Sequence, residues 1–377
     1  MQTQPQEGSA RVVRLGFIGA GEVNFGSDTV AVPWNHARVV DLLGRGEGWG
    51  GLAPVGLRIV GVADVNAARA DAVADRWRAK SPQVFGEAKG FGSVTDMLDQ
   101  ARPDAVIIGL PPFAHGLPAK FDFELECARR GVHIFVEKPI SSHPPELVSQ
   151  VRDELERLAA EHGVVVSVGY MFRYSAPVLK LRQLLAEHAA AHPQAPAVRA
   201  VLLKYNTAYP AIAKAMWWDV RLSGGPGFLS LLPNDVVSGK SVEAGLPAEF
   251  RVPRLTTAHW RFESGAVGSL THGVMLHGDH YECEIEVWGD GIRIRLEDPY
   301  GRARLLVSRD QGAENVQTEE VITFAEGEDN FYEKELAAWL HAIATGDASG
   351  IRSSYADAFK TFELTWAIRA SSEKNRC

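Results

Sequence analysis

Short, nearly continuous apolar runs punctuate the first 170 residues. "RLGFIG" (14–19), "RIVGVAD" (58–64), "AVIIGL" (105–110), "HIFVEK" (133–138) and "VVVSVGY" (164–170) are rich in β-branched residues and barely alternate. Strands covered on both faces have this pattern, because neither side of the pleat meets water. Between them, residues 67–79, 93–101 and 119–130 have helix-forming composition, and the glycine of "RRGVH" supplies a stop before the next strand. Strand alternating with helix predicts an α/β fold with a doubly wound parallel sheet, assigned to a domain over 11–140.

After about residue 195 the pattern changes. "AVRAVLLKY", "TTAHWRFE", "AVGSLTHGVML", "YECEIEVWG" and "GIRIRLE" are strand-like, with little helix between them. In "YECEIEVW", Glu282, Glu284 and Glu286 alternate with Cys283, Ile285 and Val287. That period of two gives a sheet one covered face and one more exposed face. The Asp-Gly of "WGDGI" supplies the positive φ angles of a tight hairpin. A large, open, mainly antiparallel sheet is therefore expected in an α+β domain spanning 141–330, reached through helices at 144–162 and 175–190. Trp260, Phe262 and Leu270 are expected on its outer face. Helix returns at 330–344 and 354–372, so 331–377 is expected to pack back on the domains; Phe331, Leu336, Trp339, Leu340 and Ile343 share one broad apolar face. The opening "MQTQPQEGSA" (1–10) lacks the apolar core of a signal peptide and reads as a disordered lead-in.

Composition narrows the function classes. Of 377 residues, 46% are hydrophobic and 23% charged, which is ordinary for a globular chain with real cores. A net charge of −8 and a pI near 5.9 supply no global field that would draw the chain to nucleic acid or anionic membrane. The cluster around Arg302 and Arg304 reads as a solvated strand face. Three distant cysteines, Cys127, Cys283 and Cys377, form neither a disulfide framework nor zinc spacing. No run has the roughly 18 apolar residues of a membrane span. A cytoplasmic location is expected.

Two stretches carry candidate chemistry. "RLGFIGAGEVNFG" places Gly19 and Gly21 just after the first strand, followed by Glu22 and Val23. Glycines there let the backbone turn sharply and approach a pyrophosphate. Asp64 of "VADVN" is placed to accept hydrogen bonds from an adenosine ribose, which favours NAD over NADP because a 2′-phosphate would be repelled. Asn24 stands at the third glycine position, and Gly19 and Asp64 are 45 residues apart where the motif expects about 20. The loop "GRGEGWGGLAPVG" and the insertion "FGSDTVAVPWNH" account for the excess. A glycine turn with no ligand is the alternative reading. In "HIFVEKPI", an acid, a base and a proline end a buried strand. The pair is either a solvated strand end or a lysine held for chemistry.

With "VIIGLPPFAH" and "VEKPI" added to that fingerprint, the chain resembles the glucose–fructose oxidoreductase/inositol dehydrogenase (Gfo/Idh/MocA) family over nearly its whole length. "VGYMFRYSAP", "FESGAVGSL" and "ELAAWLHAIATG" extend the match. The resemblance implies a Rossmann domain, then a domain whose open sheet often makes a dimer, so a homodimer or homotetramer is expected. It implies NAD as cofactor and hydride transfer at a hydroxyl of a carbohydrate, cyclitol or related polyol. Lys138 would lie beside the nicotinamide and the substrate hydroxyl, with Glu137 near the nicotinamide ribose. Leu110, Pro111, Pro112 and His115 would pass along the cofactor, while Tyr170 and Arg173 match the stretch that closes over its nicotinamide end. A partly buried lysine beside oxidised nicotinamide has its ammonium form disfavoured, which suits it to take the hydroxyl proton as hydride leaves.

One segment departs from the family. Most active dehydrogenases of the family follow an "SGG" turn with an aspartate and, four residues on, a histidine. Here "SGGPGFLSLLPND" puts Ser230 and Asn234 there, or Leu229 and Pro233 if the register slips by one. Asn234 and the nearest carboxylate, Asp235, become candidates for that role. Trp218, beside Trp217, is either a sugar-stacking platform or part of the core or an interface. His272, His277 and His280 surround a strand end; His277 is a candidate substrate contact or a polar loop residue. No third ligand completes a zinc site, and no metal is expected. The missing pair keeps open a cofactor-binding sensor or partner-binding protein without turnover. It also keeps open lyase, epimerase or glycosidase chemistry with NAD as a transient oxidant.

Overall fold

The computed structural model describes residues 12–26, 35–117, 122–194, 198–208, 247, 251, 254–276, 281–310, 317–325 and 329–374. The chain divides into two compact units, Met1–Met171 with Phe331–Phe359, and Phe172–Asn330 with Lys360–Cys377. The first division falls after the last of the apolar runs, and the C-terminal segment is shared between the units.

The first unit holds six strands: β1 (Val12–Ile18), β2 (Gly56–Ala63), β3 (Lys89–Phe91), β4 (Ala105–Ile108), β5 (His133–Val136) and β6 (Val166–Val168). They pair in parallel in the order β3-β2-β1-β4-β5-β6. Every side chain of β4 is buried, as are Val13, Leu15 and Phe17 of β1, which explains the unalternating sequence. The strand order reverses between β1 and β4. In open α/β sheets a reversal of this kind is where the loops leaving the two strands diverge to opposite faces and a crevice lies at their C-terminal ends.

The helices of this unit are α1 (Glu22–Phe25), α2 (His36–Gly44), α3 (Ala67–Lys80), α4 (Pro82–Phe85), α5 (Val94–Gln100), α6 (Phe123–Arg129) and α7 (Pro145–His162). Part of the long β1–β2 connection is thus a helix, α2, capped by the Asn35 side chain on the Arg38 amide. The C-terminal segment adds a further helix from Phe331 to Thr345. Its Leu336, Trp339, Leu340 and Ile343 enter the core, and the Trp339 ring meets Phe135 of β5 at 5.7 Å.

The second unit holds α8 (Ala176–Ala191) and a seven-stranded sheet. Its strands are β7 (Ala200–Ala208), β8 (Leu255–Arg261), β9 (Val267–Leu276), β10 (Glu282–Gly289), β11 (Ile292–Glu297), β12 (Arg304–Asp310) and β13 (Gln317–Thr323). The order is β13-β12-β11-β10-β7-β9-β8, antiparallel except for β7 with β9. Leu181 and Leu184 of α8 pack on Val287, Ile294, Leu296, Leu305 and Val307.

The other face carries an ionic lattice. Glu286 pairs with Arg293, Lys204 with Glu282 at 3.4 Å, and Glu297 with Arg295 and Arg304 at 3.0 and 2.6 Å. Trp288 and Val321 share this face by register and remain 46% and 53% exposed. The expectation for Trp260 and Leu270 is corrected. Both lie on the opposite, covered side, packed with Ala258 against Leu364 and Ile368 of the terminal helix (Tyr355–Lys374). Strand parity decides this, since residues 256, 258 and 260 alternate with the exposed 257, 259 and 261. Phe262, just past β8, is 39% exposed. Among the described residues no helix is long and apolar enough to cross a membrane.

Candidate active site

The crevice between β1 and β4 is shaped by glycine. Gly19 leaves β1 at φ +96°, and a Cβ there would stand 2.7 Å from the Gly109 carbonyl at the end of β4. Gly21 is different. Its chain neighbours aside, a Cβ on it would meet no atom of the described residues within 4 Å, so packing among them does not require glycine there. Asn24 is fully buried and ties the loop down, its Nδ2 donating to the carbonyls of Ile18 and Gly19 at 3.1 and 2.7 Å. The third glycine position is thus filled by a side chain that holds the cradle by hydrogen bonds. Glu22 is exposed and Val23 half-buried. Because α1 has only four residues, the dipole of a long helix is not available, and the loop amides are what the cradle offers an anion.

Asp64 follows β2 and its carboxylate is already engaged. It accepts from the Ala20 and Asn66 amides at 2.8 and 2.9 Å, and from Arg69. Burial would raise this carboxyl, but the two amides and Arg69 outweigh it and hold the group below its ordinary range.

At the end of β5, Glu137 turns inward and Lys138 outward. Glu137 is buried against His36 of α2, with Oε1 2.7 Å from the ring Nε2, while its Oε2 accepts from the Lys138 amide at 3.1 Å. Burial alone would raise the carboxyl; the His36 hydrogen bond and the pull of His36 and Lys138 bring it below the usual value. Gly169 makes room for it, since a Cβ at that position would lie 2.8 Å from Oε1. The Gly169 amide donates to the Val136 carbonyl, bringing the half-buried Tyr170 to the same edge of the sheet. The partial burial expected for Lys138 is absent: its side chain is exposed. Its ammonium has no hydrogen-bond or ion-pair partner among the described residues.

Leu110 and Pro111 are half-buried at the end of β4, and Pro112 begins a single 3-10 turn. His115 is only 1% exposed and its Nδ1 lies 3.0 Å from Oε1 of the equally buried Glu124. Its ring braces the loop from inside, so the loop itself is what it can offer a cofactor. Arg173 belongs to the second unit, where it donates to Thr361 Oγ1 at 3.2 Å. His272 is buried on β9, stacked on Tyr205 at 5.6 Å. Cys127 and Cys283 are thiols whose pKa burial pushes up, that of Cys283 to about 12, which leaves them poor nucleophiles. Trp217, Trp218, Leu229, Ser230, Pro233, Asn234, Asp235, His277 and His280 lie outside the described residues.

His36, Glu124, Gly169 and Arg69 were not singled out in the sequence. The signal for His36 was faint but present: "NHARVVDLL" has an Asn cap and helical spacing. Arg69 stands five residues after Asp64, within reach of it from the first turn of α3.

Comparison with known proteins agrees with the fold of the first unit. Residues 13–170 match an oxidoreductase family with an NAD-binding Rossmann fold, GFO_IDH_MocA, and residues 237–292 match a putative oxidoreductase C-terminal domain. An uncharacterized protein of Schizosaccharomyces pombe is 31% identical over 96% of this chain and 97% of its own. The inositol 2-dehydrogenase of Rubrobacter xylanophilus is 25% identical over 65% of this chain and 78% of its own. Among solved structures, levoglucosan dehydrogenase in complex with NADH and levoglucosan superposes with a TM-score of 0.69 at 16% identity, covering 97% of this chain and 98% of that one. The protein belongs to the Gfo/Idh/MocA family of NAD-binding Rossmann-fold oxidoreductases.

Proposed function

We propose that the protein transfers hydride between a nicotinamide dinucleotide and a secondary hydroxyl of a sugar, cyclitol or related polyol. The observation that carries this reading is the pairing of opposite environments at Glu137 and Lys138. The acid is buried and held by His36, while the base beside it is exposed and has no partner among the described residues, at the carboxyl end of a parallel sheet. A solvated strand end has no need of a buried carboxylate locked to a histidine from another element. A site that must hold a lysine in one place does.

The residues fit the cofactor the family implies. Gly19, Gly21 and Asn24 would cradle the pyrophosphate, with the end of β2 at the adenosine ribose. Oxidised nicotinamide bound there would accept hydride from the carbinol carbon. Lys138 would take the hydroxyl proton, and removal of that proton as hydride leaves is the general-base step. Glu137 fixes the backbone of Lys138 through its amide. Tyr170 stands at the same strand end and supplies a phenol for the substrate or for proton relay. The names of the relatives support a sugar-like substrate: one acts on inositol and another binds levoglucosan.

The test is to purify the protein, assay for co-purified dinucleotide, and follow reduced nicotinamide absorbance over a panel of inositols, anhydrosugars and sugars. Turnover on at least one polyol is expected. Cofactor binding with no turnover across the panel would favour the sensor reading.

A further inference from the structure

The carboxylate at the end of β2 is saturated. Oδ2 of Asp64 accepts from the Ala20 amide at 2.8 Å and Oδ1 from the Asn66 amide at 2.9 Å. Arg69 Nη2 donates to both oxygens, at 2.9 and 3.0 Å. A carboxylate has about four acceptor positions, and four contacts occupy them here. A ribose diol reaching Asp64 must displace one of these donors. Two are backbone amides fixed by the β1 loop and the start of α3. Only Arg69 is on a side chain that can swing away.

The exposure of the pair is unequal. The Asp64 side chain is 5% exposed and that of Arg69 52%. Nε and Nη1 of Arg69 have no hydrogen-bond partner among the described residues. The end of β2 therefore presents a guanidinium edge to solvent, with its anchoring carboxylate beneath. Val65, between them in sequence, is 97% exposed and leaves the approach open. A bare aspartate at this position repels a 2′-phosphate, whereas an arginine accommodates it with two parallel donors.

We propose that Arg69, anchored by Asp64, determines cofactor specificity at the adenosine ribose and admits a 2′-phosphate, so that the protein binds NADP(H) no more weakly than NAD(H). This rests on the reading that a dinucleotide occupies the β1–β2 edge. It reverses the preference expected from Asp64 alone, because the charge of Asp64 is spent on its neighbour.

The test separates the adenosine end from the chemistry. Adenosine 2′,5′-bisphosphate and 5′-AMP are titrated calorimetrically, and NADPH and NADH by fluorescence, into the native protein, Arg69→Ala and Arg69→Lys. The native protein should bind the bisphosphate more tightly than AMP and NADPH at least as tightly as NADH. Arg69→Ala should weaken NADPH and the bisphosphate by about tenfold or more, the loss of one charge-assisted contact, while NADH changes by less than about threefold. Arg69→Lys, which keeps the charge without the fork, should lie between. A native preference for NADH above about tenfold, or equal losses of both cofactors in Arg69→Ala, would overturn the inference and leave the dehydrogenase reading standing. Failure of all four ligands to bind the native protein would overturn both.

Discussion

His36 Nε2 and Glu137 Oε1 meet at 2.7 Å inside the protein, joining residues 101 apart in the chain. The contact ties α2 to the end of β5 and sets the backbone on which Lys138 stands. Losing the histidine leaves a buried carboxylate without its partner, and breaking a buried pair in this way costs roughly 3 kcal/mol or more. His36→Ala should therefore lower the unfolding midpoint clearly and reduce turnover even where the protein stays folded. The pH direction follows from Glu137. Its folded pKa is depressed below 4.5, so its stabilisation is present above that value and is lost as pH falls through the depressed one. His36→Ala should remove that acid-side loss. Equal stability of variant and native protein in denaturant titrations at neutral pH would contradict the role.

Gly169→Ala tests the same site from the other side. The added methyl would press on Glu137 Oε1 at 2.8 Å, displacing the carboxylate or the strand end that carries Tyr170. Turnover is expected to fall at least about tenfold with dinucleotide affinity within a few fold, because the added methyl meets Glu137 and not the glycine loop. Unchanged kinetics would show that the close approach is not functionally tight.

In the second unit, His272 makes an acid-stability prediction. Burial pulls its pKa from 6.5 down to about 4. The unfolded chain therefore binds the proton first as pH falls, and stability is lost between about 6.5 and about 4, by an amount on the order of 3 kcal/mol. His272→Gln should flatten that part of the stability profile. Parallel profiles for the two proteins in urea titrations from pH 7 to pH 4.5 would contradict it.

The open sheet face is expected to be an interface. Trp288 and Val321 leave exposed apolar area on it, the kind of face that a symmetric dimer covers. Light scattering should give about twice 41.1 kDa, and Val321→Asp should shift the protein toward monomer. A native protein that stays at 41.1 kDa at micromolar concentration would refute it.

The sequence carried the parallel sheet well because β1, β2, β4, β5 and β6 are buried on both faces and read as unbroken apolar runs. Three-residue β3 has no room for a pattern, and α2 was hidden by the glycine-rich and inserted segments around it. The open sheet was legible where Glu282, Glu284 and Glu286 alternate with apolar residues. The side that the terminal helix covers was not, because Trp260 and Leu270 are apolar on either face and only the register with Ala258 decides. At the site, Gly19, Gly21, Asp64 and Lys138 stood out by type and position. What each one faces did not: Glu137 depends on a histidine 101 residues away, and the charge that Asp64 shows depends on Arg69. Exposure of Lys138 was equally invisible, since strand-end burial is set by what packs over it.

Lys138→Ala is the most direct measurement of the central claim. With a polyol that the native protein turns over, kcat should fall about 10²–10⁴-fold, the range for losing a general base. Dinucleotide affinity should stay within a few fold, because the cradle at Gly19, Gly21 and Asn24 is untouched. Native-like turnover in Lys138→Ala would contradict the assignment of proton transfer to this lysine.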